Sequence, residues 1–290
     1  MQNRIIKALI FNKQVRLYLL NNTHLLNEIL HMNQGSNIIS KEALANSISV
    51  MSMLSATLKG NQRLSAALSF DQPKSKIFVD TDAHGNVRGY ANDFLLSSSK
   101  NYSTVKELIG LKGSIRMIKA NDFNQFTGIT DMPYQDLDRD FSHYFKQSDQ
   151  TETLIKTTIH WQGNKEIKNS YGIYAQLLPQ SPTHLLNKVE EHFQSIQCVL
   201  NEPKTLINSE IFSLLNQYFG EGEIIGESNV QFFCGCSKEM FFGLLHSVDA
   251  AELKGYLHSR DPIISTCNRC GRNYSFNEEE IKLILGELNG

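Results

Sequence analysis

Four cysteines near the C-terminus constrain this chain more than any other feature of its sequence. They form two close pairs, Cys234-Gly235-Cys236 and Cys267-Asn268-Arg269-Cys270, with residues 237–266 between them. Four thiolates satisfy tetrahedral zinc completely, and a two-residue spacer lets one tight turn direct both sulfurs at the metal. Gly235 permits a similar turn at the shorter spacing. The sequence therefore predicts one zinc ion bound by Cys234, Cys236, Cys267 and Cys270.

A closed four-sulfur site argues against enzymatic chemistry at the metal. It leaves no open coordination position for water, so we expect the zinc to hold structure and not to catalyse hydrolysis. The zinc-deaminase motif is absent, because no histidine precedes a glutamate by two residues and Thr266, not proline, precedes Cys267. We predict that the protein is not an enzyme.

Composition and charge indicate a cytoplasmic protein with neither a nucleic-acid nor a membrane partner. The 290 residues include 28 basic and 30 acidic side chains, so no excess of positive charge attracts nucleic acid or an anionic membrane. No apolar run reaches the roughly eighteen residues that span a bilayer, and Lys7 interrupts the apolar stretch near the N-terminus, so no secretory signal is visible. In such a chain, close cysteine pairs point to metal or redox chemistry.

Residues 1–179 are predicted to form an α+β domain. Residues 40–58 carry Leu44, Ile48, Met51 and Leu58 at helical spacing. The tripeptide His84-Gly85-Asn86 lies between two alternating runs and predicts a β-hairpin. Further strands are expected at 15–20, 64–70, 114–119 and 154–161, and a helix at 134–145. This order of elements predicts the α+β fold class.

Residues 180–230 are predicted to form a helical linker. Ser181 and Pro182 have the residue types of a helix cap and first helical position. The apolar stripe of the helix that follows consists of Leu186, Val189, Phe193, Ile196 and Leu200. A second helix is expected at 206–219 and a glycine-rich hinge at 220–226. These helices are too apolar to remain in water, so we expect them to pack on another part of the protein.

Residues 231–290 are predicted to form a small zinc domain. Short strands are expected at 263–266 and 274–276, on either side of the second cysteine pair. Asp249 with Glu252, and Asn277 with Glu280, have the spacing of helix caps.

The cysteine spacing also suggests a redox switch. Cysteines separated by one residue can be joined only in a small, strained ring, and strained disulfides are the readily reduced, regulatory kind. Loss of zinc would withdraw the free energy that folds so small a unit, so oxidation is expected to unfold it. The fifth cysteine, Cys198, has no close partner in sequence; of the two interpretations, an accessory sensor thiol or an ordinary free thiol, we expect the ordinary free thiol.

Two other functions remain open from the residues alone. Arg269, Arg272 and Lys238 could contact nucleic acid in a zinc-ribbon protein whose cysteines are purely structural, although the near-neutral charge counts against this. A thiol-disulfide oxidoreductase would place a helix directly after the second pair, whereas Gly271 and a strand-like segment follow here.

Motifs along nearly the whole chain resemble those of one protein family. They are His31, Gln14-Val15-Arg16, Leu58-Lys59-Gly60, Gly85-Asn86-Val87-Arg88-Gly89-Tyr90, Tyr144-Phe145, Ser148-Asp149-Gln150, Gln176-Leu177-Leu178-Pro179, Cys234-x-Cys236-Ser237-Lys238-Glu239 and Cys267-x-x-Cys270-Gly271-x-x-Tyr274-x-Phe276. On these motifs the chain resembles the redox-regulated heat-shock chaperones of 33 kDa, also called 33 kDa chaperonins. It departs from their pattern at Asp149, where a glutamate is usual, and around Gly172 and Pro73, where further glycines are usual.

The resemblance implies a stress-response chaperone that needs no ATP. In such proteins the reduced, zinc-bound form is inactive; oxidants expel the zinc, the linker loosens, and unfolding client proteins are held. By position, the resemblance pairs Cys234 with Cys236 and Cys267 with Cys270 as redox-active disulfides. It also implies that the activated form is a homodimer. The departures from the family pattern lie in the N-terminal domain and bear on dimer geometry more than on the zinc switch.

Overall fold

The computed structural model describes residues 3–33, 35, 37–72, 74–96, 102–163, 166–200, 208–259 and 262–288. The strands are β1 (Arg4–Ile10), β2 (Val15–Asn21), β3 (Arg63–Ser69), β4 (Lys76–Asp82), β5 (Asn86–Ala91), β6 (Ser114–Ala120), β7 (Gln125–Asp131), β8 (Thr153–Gln162), β9 (Glu166–Leu177), β10 (Glu223–Asn229), β11 (Gln231–Phe232), β12 (Ile263–Thr266) and β13 (Asn273–Phe276). The helices are α1 (Thr23–Met32), α2 (Ile38–Ser55), α3 (Asp93–Leu96), α4 (Val105–Ile109), α5 (Leu137–Ser148), α6 (His184–Leu200), α7 (Asn208–Phe219), α8 (Lys238–Leu245), α9 (Ala250–Ser259) and α10 (Glu278–Leu288).

Two large sheets form the N-terminal body, which we define as β1–β11 with α1–α5. One sheet has the strand order β10-β1-β2-β9-β8 and is antiparallel throughout. The other has the order β11-β5-β4-β3-β6-β7, in which β11 pairs with β5 in parallel and all other neighbours are antiparallel. Helices and largely antiparallel sheets contribute side chains to the same hydrophobic core. The predicted α+β fold class is confirmed.

Helix α2 lies between the two sheets and forms the centre of the main core. It contacts β4 and β5 of one sheet and β8 and β9 of the other. Most of its residues are buried, as expected for a helix enclosed on several sides. Buried Ser47 and Ser52 bond within the helix, because their hydroxyls donate to the carbonyls of Ala43 and Ile48, both at 2.7 Å. The helix predicted at 40–58 is therefore the scaffold of the N-terminal body.

The linker helices, α6 and α7, cover the other face of the five-stranded sheet. Alternate side chains of a strand point to opposite faces, so Ile5 of β1 joins the main core while Ile6 joins a second core under the linker helices. Val189 and Leu215 are fully buried there. The predicted packing of the apolar stripe is confirmed for Leu186, Val189, Phe193 and Ile196. The side chains of Leu200 and Cys198 lie outside the described residues.

Two details of the linker prediction were wrong. Ser181 does not cap α6, because the regular helix begins at His184 and the Ser181 hydroxyl instead donates to the carbonyl of Gln14 at 2.8 Å. The predicted hinge at 220–226 runs into an edge strand, because β10 begins at Glu223 and pairs with β1. Gly226, at φ +154°, lies where the register between these strands shifts between Lys7 and Ala8, so it serves a β-bulge.

The C-terminal unit, residues 233–288, packs three helices around the β12–β13 hairpin. Its core consists of Leu245, Leu253, Ile263, Phe276, Ile281, Ile284 and Leu285. The Asn277–Glu280 capping box is confirmed: Glu280 N–H donates to the Asn277 side chain at 3.0 Å, and Asn277 N–H donates to the Glu280 carboxylate at 2.9 Å. Within the described ranges, no helix has the length and apolarity needed to cross a membrane.

Candidate metal centre

Strands β11, β12 and β13 bring the two cysteine pairs together. Strand β11 runs beside β5, and the chain then passes through Cys234 and Cys236 before α8 begins. Ser237 caps α8 by accepting a hydrogen bond from Met240 N–H at 3.2 Å, so the chain turns immediately after the first pair. The β12–β13 hairpin carries Cys267 and Cys270 in its turn. The sites of the two pairs are therefore fixed by different elements.

A closed turn holds the second pair. The carbonyl of Cys267 accepts hydrogen bonds from the N–H groups of Cys270 (3.2 Å) and Gly271 (2.8 Å), and Cys267 N–H donates to the carbonyl of Arg272 (2.9 Å). Gly271 has φ +78°, a conformation that glycine adopts without strain. No helix follows the turn, since β13 begins at Asn273, which counts against a thioredoxin-like arrangement.

The four sulfurs fit a tetrahedral zinc site. All four are free thiols, and their Sγ atoms lie within 4.8 Å of one another. The Cys234–Cys267 and Cys236–Cys270 Sγ distances are 3.9 and 3.6 Å. Zinc–sulfur bonds of about 2.3 Å give a tetrahedron whose sulfurs are about 3.8 Å apart. Cys267 and Cys270 are 4% and 0% exposed, and the first pair is half-buried. This donor set can hold one zinc ion and is closed to other ligands.

The thiols of the cluster differ in acidity. Burial alone would raise the pKa of Cys234, but hydrogen bonds from the Cys236 backbone, the Cys236 and Cys270 thiols and Arg88 outweigh it and lower that pKa. Burial raises the pKa of Cys236 and of Cys270. The partly buried site thus stabilises negative charge better at Cys234 than at Cys236 or Cys270, and a bound cation would compensate the charge of all four sulfurs.

Outside the cysteine pairs, the side chains of Tyr274 and Arg88 contact the sulfurs. Tyr274 donates its hydroxyl to Cys236 Sγ at 3.1 Å, and burial raises the pKa of Tyr274 to about 12, which keeps it a donor. Arg88 of β5 directs Nη1 at Cys234 Sγ at 3.7 Å. The cysteine spacing alone could not predict either contact. The only signal was that both residues lie in motifs of the family that the chain resembles.

Comparison with known proteins agrees with this geometry. A family model described as Hsp33 protein matches residues 3–277. The chain belongs to the Hsp33 family. Among its Hsp33 relatives, the 33 kDa chaperonin of Bacillus cytotoxicus is 28% identical over 295 residues, covering 99% of this chain and 100% of the relative. The 33 kDa chaperonin of Staphylococcus aureus strain Newman is 26% identical over 291 residues, covering 98% of each.

A solved Hsp33 structure shares the fold. The crystal structure of the 33 kDa chaperonin (heat shock protein 33 homolog) from Thermotoga maritima aligns with a TM-score of 0.78 over 100% of both chains at 16% identity. Membership in the Hsp33 family identifies the chain as a chaperone, and its relatives are named as chaperones, not as enzymes.

Other candidate residues lie outside the cluster. Among the described residues, no histidine joins the four-cysteine group; His246 packs its ring edge-on against Phe242 at 5.9 Å. The His258 side chain lies outside the described residues. The basic residues considered for nucleic acid have partners within the protein: Lys238 pairs with Glu280 at 2.7 Å, Arg269 with Asp80 at 3.4 Å, and Arg272 lies over the ring of Phe232 at 5.6 Å.

Proposed function

We propose that this Hsp33-family chaperone is a redox-regulated, ATP-independent holdase. In the reduced state Cys234, Cys236, Cys267 and Cys270 hold one zinc ion and the protein is inactive; oxidation releases the zinc and exposes surfaces that bind unfolding proteins. The observation that carries the proposal is the cluster of four free thiols, with Sγ atoms within 4.8 Å of one another, at the junction of the C-terminal unit and the N-terminal body.

The size of the C-terminal unit supports metal-dependent folding. Its hydrophobic core is small, and the two cysteine pairs are joined to it mainly through the β12–β13 hairpin and α8. Units of this size commonly need a structural metal, whose binding free energy is then part of the folding free energy. Removing the zinc should therefore loosen the unit and its contacts with the N-terminal body.

Oxidation supplies a direct way to remove the metal ligands. When two thiols form a disulfide they lose two electrons and two protons, and with a peroxide as oxidant one hydrogen peroxide molecule is reduced to two waters. We propose the pairs Cys234–Cys236 and Cys267–Cys270, as the family resemblance implies. The Sγ atoms of Cys234 and Cys267 lie 3.9 Å apart and those of Cys236 and Cys270 lie 3.6 Å apart, so mass spectrometry of the oxidised protein has to distinguish the two connectivities.

The linker helices supply the apolar surface for clients. Val189, Ile196 and Leu215 are fully buried against the five-stranded sheet, and burying such a side chain is worth about 1.5–3 kcal/mol. Undocking α6 and α7 would expose both this stripe and the sheet face beneath it. An apolar surface of this kind binds unfolding proteins without sequence specificity. A homodimeric active form and a cytoplasmic location complete the proposal.

Light scattering of a heat-unfolding client tests the proposal. The client is incubated without ATP beside the reduced, zinc-loaded protein or the peroxide-treated protein. We expect the oxidised protein to suppress aggregation and the reduced protein to leave it unchanged. Equal suppression by both forms would contradict redox control, and suppression by neither would contradict the holdase function. Reduction with dithiothreitol and added zinc should reverse the activity, which controls for irreversible damage.

A further inference from the structure

Asn33 joins the second cysteine pair to the N-terminal body. It caps the C-terminus of α1 and is 1% exposed. Its side-chain Nδ2 donates to the carbonyls of Ile29 (2.9 Å), Gly89 (3.1 Å) and Cys270 (3.1 Å), and its Oδ1 accepts from Ala91 N–H at 3.1 Å. One buried amide therefore bonds to α1, to β5 and to the main chain of a predicted zinc ligand.

The hydrogen bonds of Asn33 suit a contact that can open. An amide NH₂ group has two hydrogens, whereas three carbonyls lie within hydrogen-bond distance. Two of these carbonyls, those of Ile29 and Gly89, belong to the N-terminal body. If the cysteine turn leaves, Asn33 keeps both donors bonded and its orientation is unchanged. No buried polar group is orphaned in the N-terminal body, which is the main cost of breaking a buried hydrogen bond.

Gly271 packs closely against Asn33, so the contact depends on the conformation of the turn. A Cβ atom at Gly271 would lie 2.7 Å from Asn33 Oδ1 and 2.8 Å from its Cγ. The φ angle of +78° at Gly271 also belongs to the turn that closes on the Cys267 carbonyl. The turn that directs both sulfurs into the cluster is therefore the same turn that seats the Cys270 carbonyl on Asn33.

A second contact between the same turn and the N-terminal body is weaker. Asp80 of β4 accepts from Arg88 at 2.9 Å and from Arg269 at 3.4 Å. The Arg269 side chain is 59% exposed, and ion pairs in water contribute little to stability. The buried Asn33–Cys270 bond is thus the stronger candidate for holding the turn in place.

We propose that Asn33 is the positioning residue by which the N-terminal body holds the second cysteine pair in its metal-binding turn. Its amide holds the Cys270 carbonyl when the turn has its metal-binding shape and loses it when metal loss or disulfide formation rearranges the turn. The regulatory meaning of this contact rests on the proposed function. The contact itself is tested without any client protein.

Hydrogen exchange of the reduced, zinc-loaded protein tests the proposal with Asn33→Asp, which keeps the acceptor and removes the donors. Asn27→Asp is the matched control, because Asn27 lies on the same helix, donates to the carbonyls of Thr23 and Ile167 and accepts from Ile167 N–H, all within the N-terminal body. We expect exchange over residues 267–276 to rise roughly tenfold in Asn33→Asp, equivalent to about 1.4 kcal/mol. We also expect faster zinc transfer to a chromogenic chelator. Exchange rates over residues 267–276 and zinc-transfer rates equal to those of Asn27→Asp would overturn the proposal.

Gly271→Ala changes the same contact on the side of the cysteine turn, and it tests the proposal if Asn33→Asp does not fold. Its methyl group would meet the Asn33 amide, while the sequence of the N-terminal body is unchanged. Because the methyl group must displace either the Asn33 amide or the turn, we expect roughly tenfold faster exchange at the amide of Ala91, which donates to Asn33, or over residues 267–276. Unchanged exchange in both places would overturn the proposal. Neither measurement involves client protection, so a failure of the holdase function and a failure of this contact are distinguishable.

Discussion

Nη1 of Arg88 lies 3.7 Å from Sγ of Cys234, so a side chain of the N-terminal sheet contacts the first cysteine pair directly. The same guanidinium is fixed by Asp80, whose carboxylate accepts from Arg88 Nε at 2.9 Å. Asn33 holds the main chain of Cys270 in a similar way. Both cysteine pairs therefore touch the N-terminal body, and a change at the sulfurs can alter how the C-terminal unit docks.

Replacing Arg88 should weaken zinc binding. A guanidinium beside a thiolate stabilises the negative charge that metal binding requires. We expect Arg88→Gln to transfer zinc to a chelator roughly tenfold faster than the reduced wild type, since hydrogen bonds to charged groups are worth about 1.5–3 kcal/mol. Arg63→Gln, an exposed arginine of β3 near the same surface, is the control. Identical transfer rates for the two variants would show that Arg88 does not act on the cluster.

Single serine variants test the ligand set. Replacing Cys234, Cys236, Cys267 or Cys270 removes one of four sulfurs, and the remaining three cannot close the tetrahedron. We expect the reduced wild type to contain one zinc ion per chain and each variant to contain less, measured by metal analysis after gel filtration. Cys198→Ser is the control and should keep its zinc. Full zinc content in any of the four variants would remove that residue from the set.

A charge placed under α6 should release the linker helices without an oxidant. Val189 is fully buried against the five-stranded sheet and Phe193 is partly buried there. We expect Val189→Asp and Phe193→Asp to protect a client while reduced and zinc-loaded, with Val189→Asp the stronger because its carboxylate would lose more hydration. Gln194→Asp, on the exposed side of α6, should stay inactive. Zinc-loaded variants that remain inactive and show no faster hydrogen exchange in α6 would argue against linker control.

Asp138 should make the stability of the N-terminal body depend on pH. Burial raises the pKa of Asp138 to about 7, with a smaller contribution from Asp136. Thr157 donates two hydrogen bonds to the Asp138 carboxylate, at 2.7 and 2.8 Å. These bonds and the charge of Lys156 lower the pKa, but their effects are smaller than that of burial. The folded state then binds the proton more tightly than the unfolded state, whose Asp pKa is about 3.9. This contribution to stability is present at low pH and is lost as pH rises from about 4 to 7.

Asp138→Asn removes that titration while keeping the side-chain shape. We expect the melting temperature of the wild type to fall relative to that of Asp138→Asn between pH 5 and pH 8, because Asp138 of the folded protein loses its proton over this range. Asp131→Asn, at an exposed position of β7, should show no such divergence from the wild type. Parallel melting curves for the wild type and Asp138→Asn across this range would contradict the assignment.

Local signals predicted much of the fold, and tertiary contacts account for what was missed. The turn at His84-Gly85-Asn86 and the Asn277–Glu280 capping box involve neighbours in sequence, so both could be recognised. Strand β10 was missed because it is an edge strand whose residues alternate only between exposed and partly buried. The spacing of the cysteines predicts the metal site. Asn33 and Arg88 have no such spacing signal, because only folding brings them next to the cysteines. Cys270 lies more than two hundred residues from Asn33, and Cys234 lies about one hundred and fifty residues from Arg88.

Hydrogen exchange of the wild-type linker helices, followed while peroxide removes the zinc, shows whether zinc controls their docking. Zinc release, client protection and exchange over α6 and α7 are measured on the same samples, and exchange of the buried helix α2 serves as the internal reference. We predict that exchange in α6 and α7 rises together with zinc release and client protection while α2 stays protected. Full client protection by a zinc-free, oxidised protein whose α6 and α7 remain as protected as in the reduced state would contradict it.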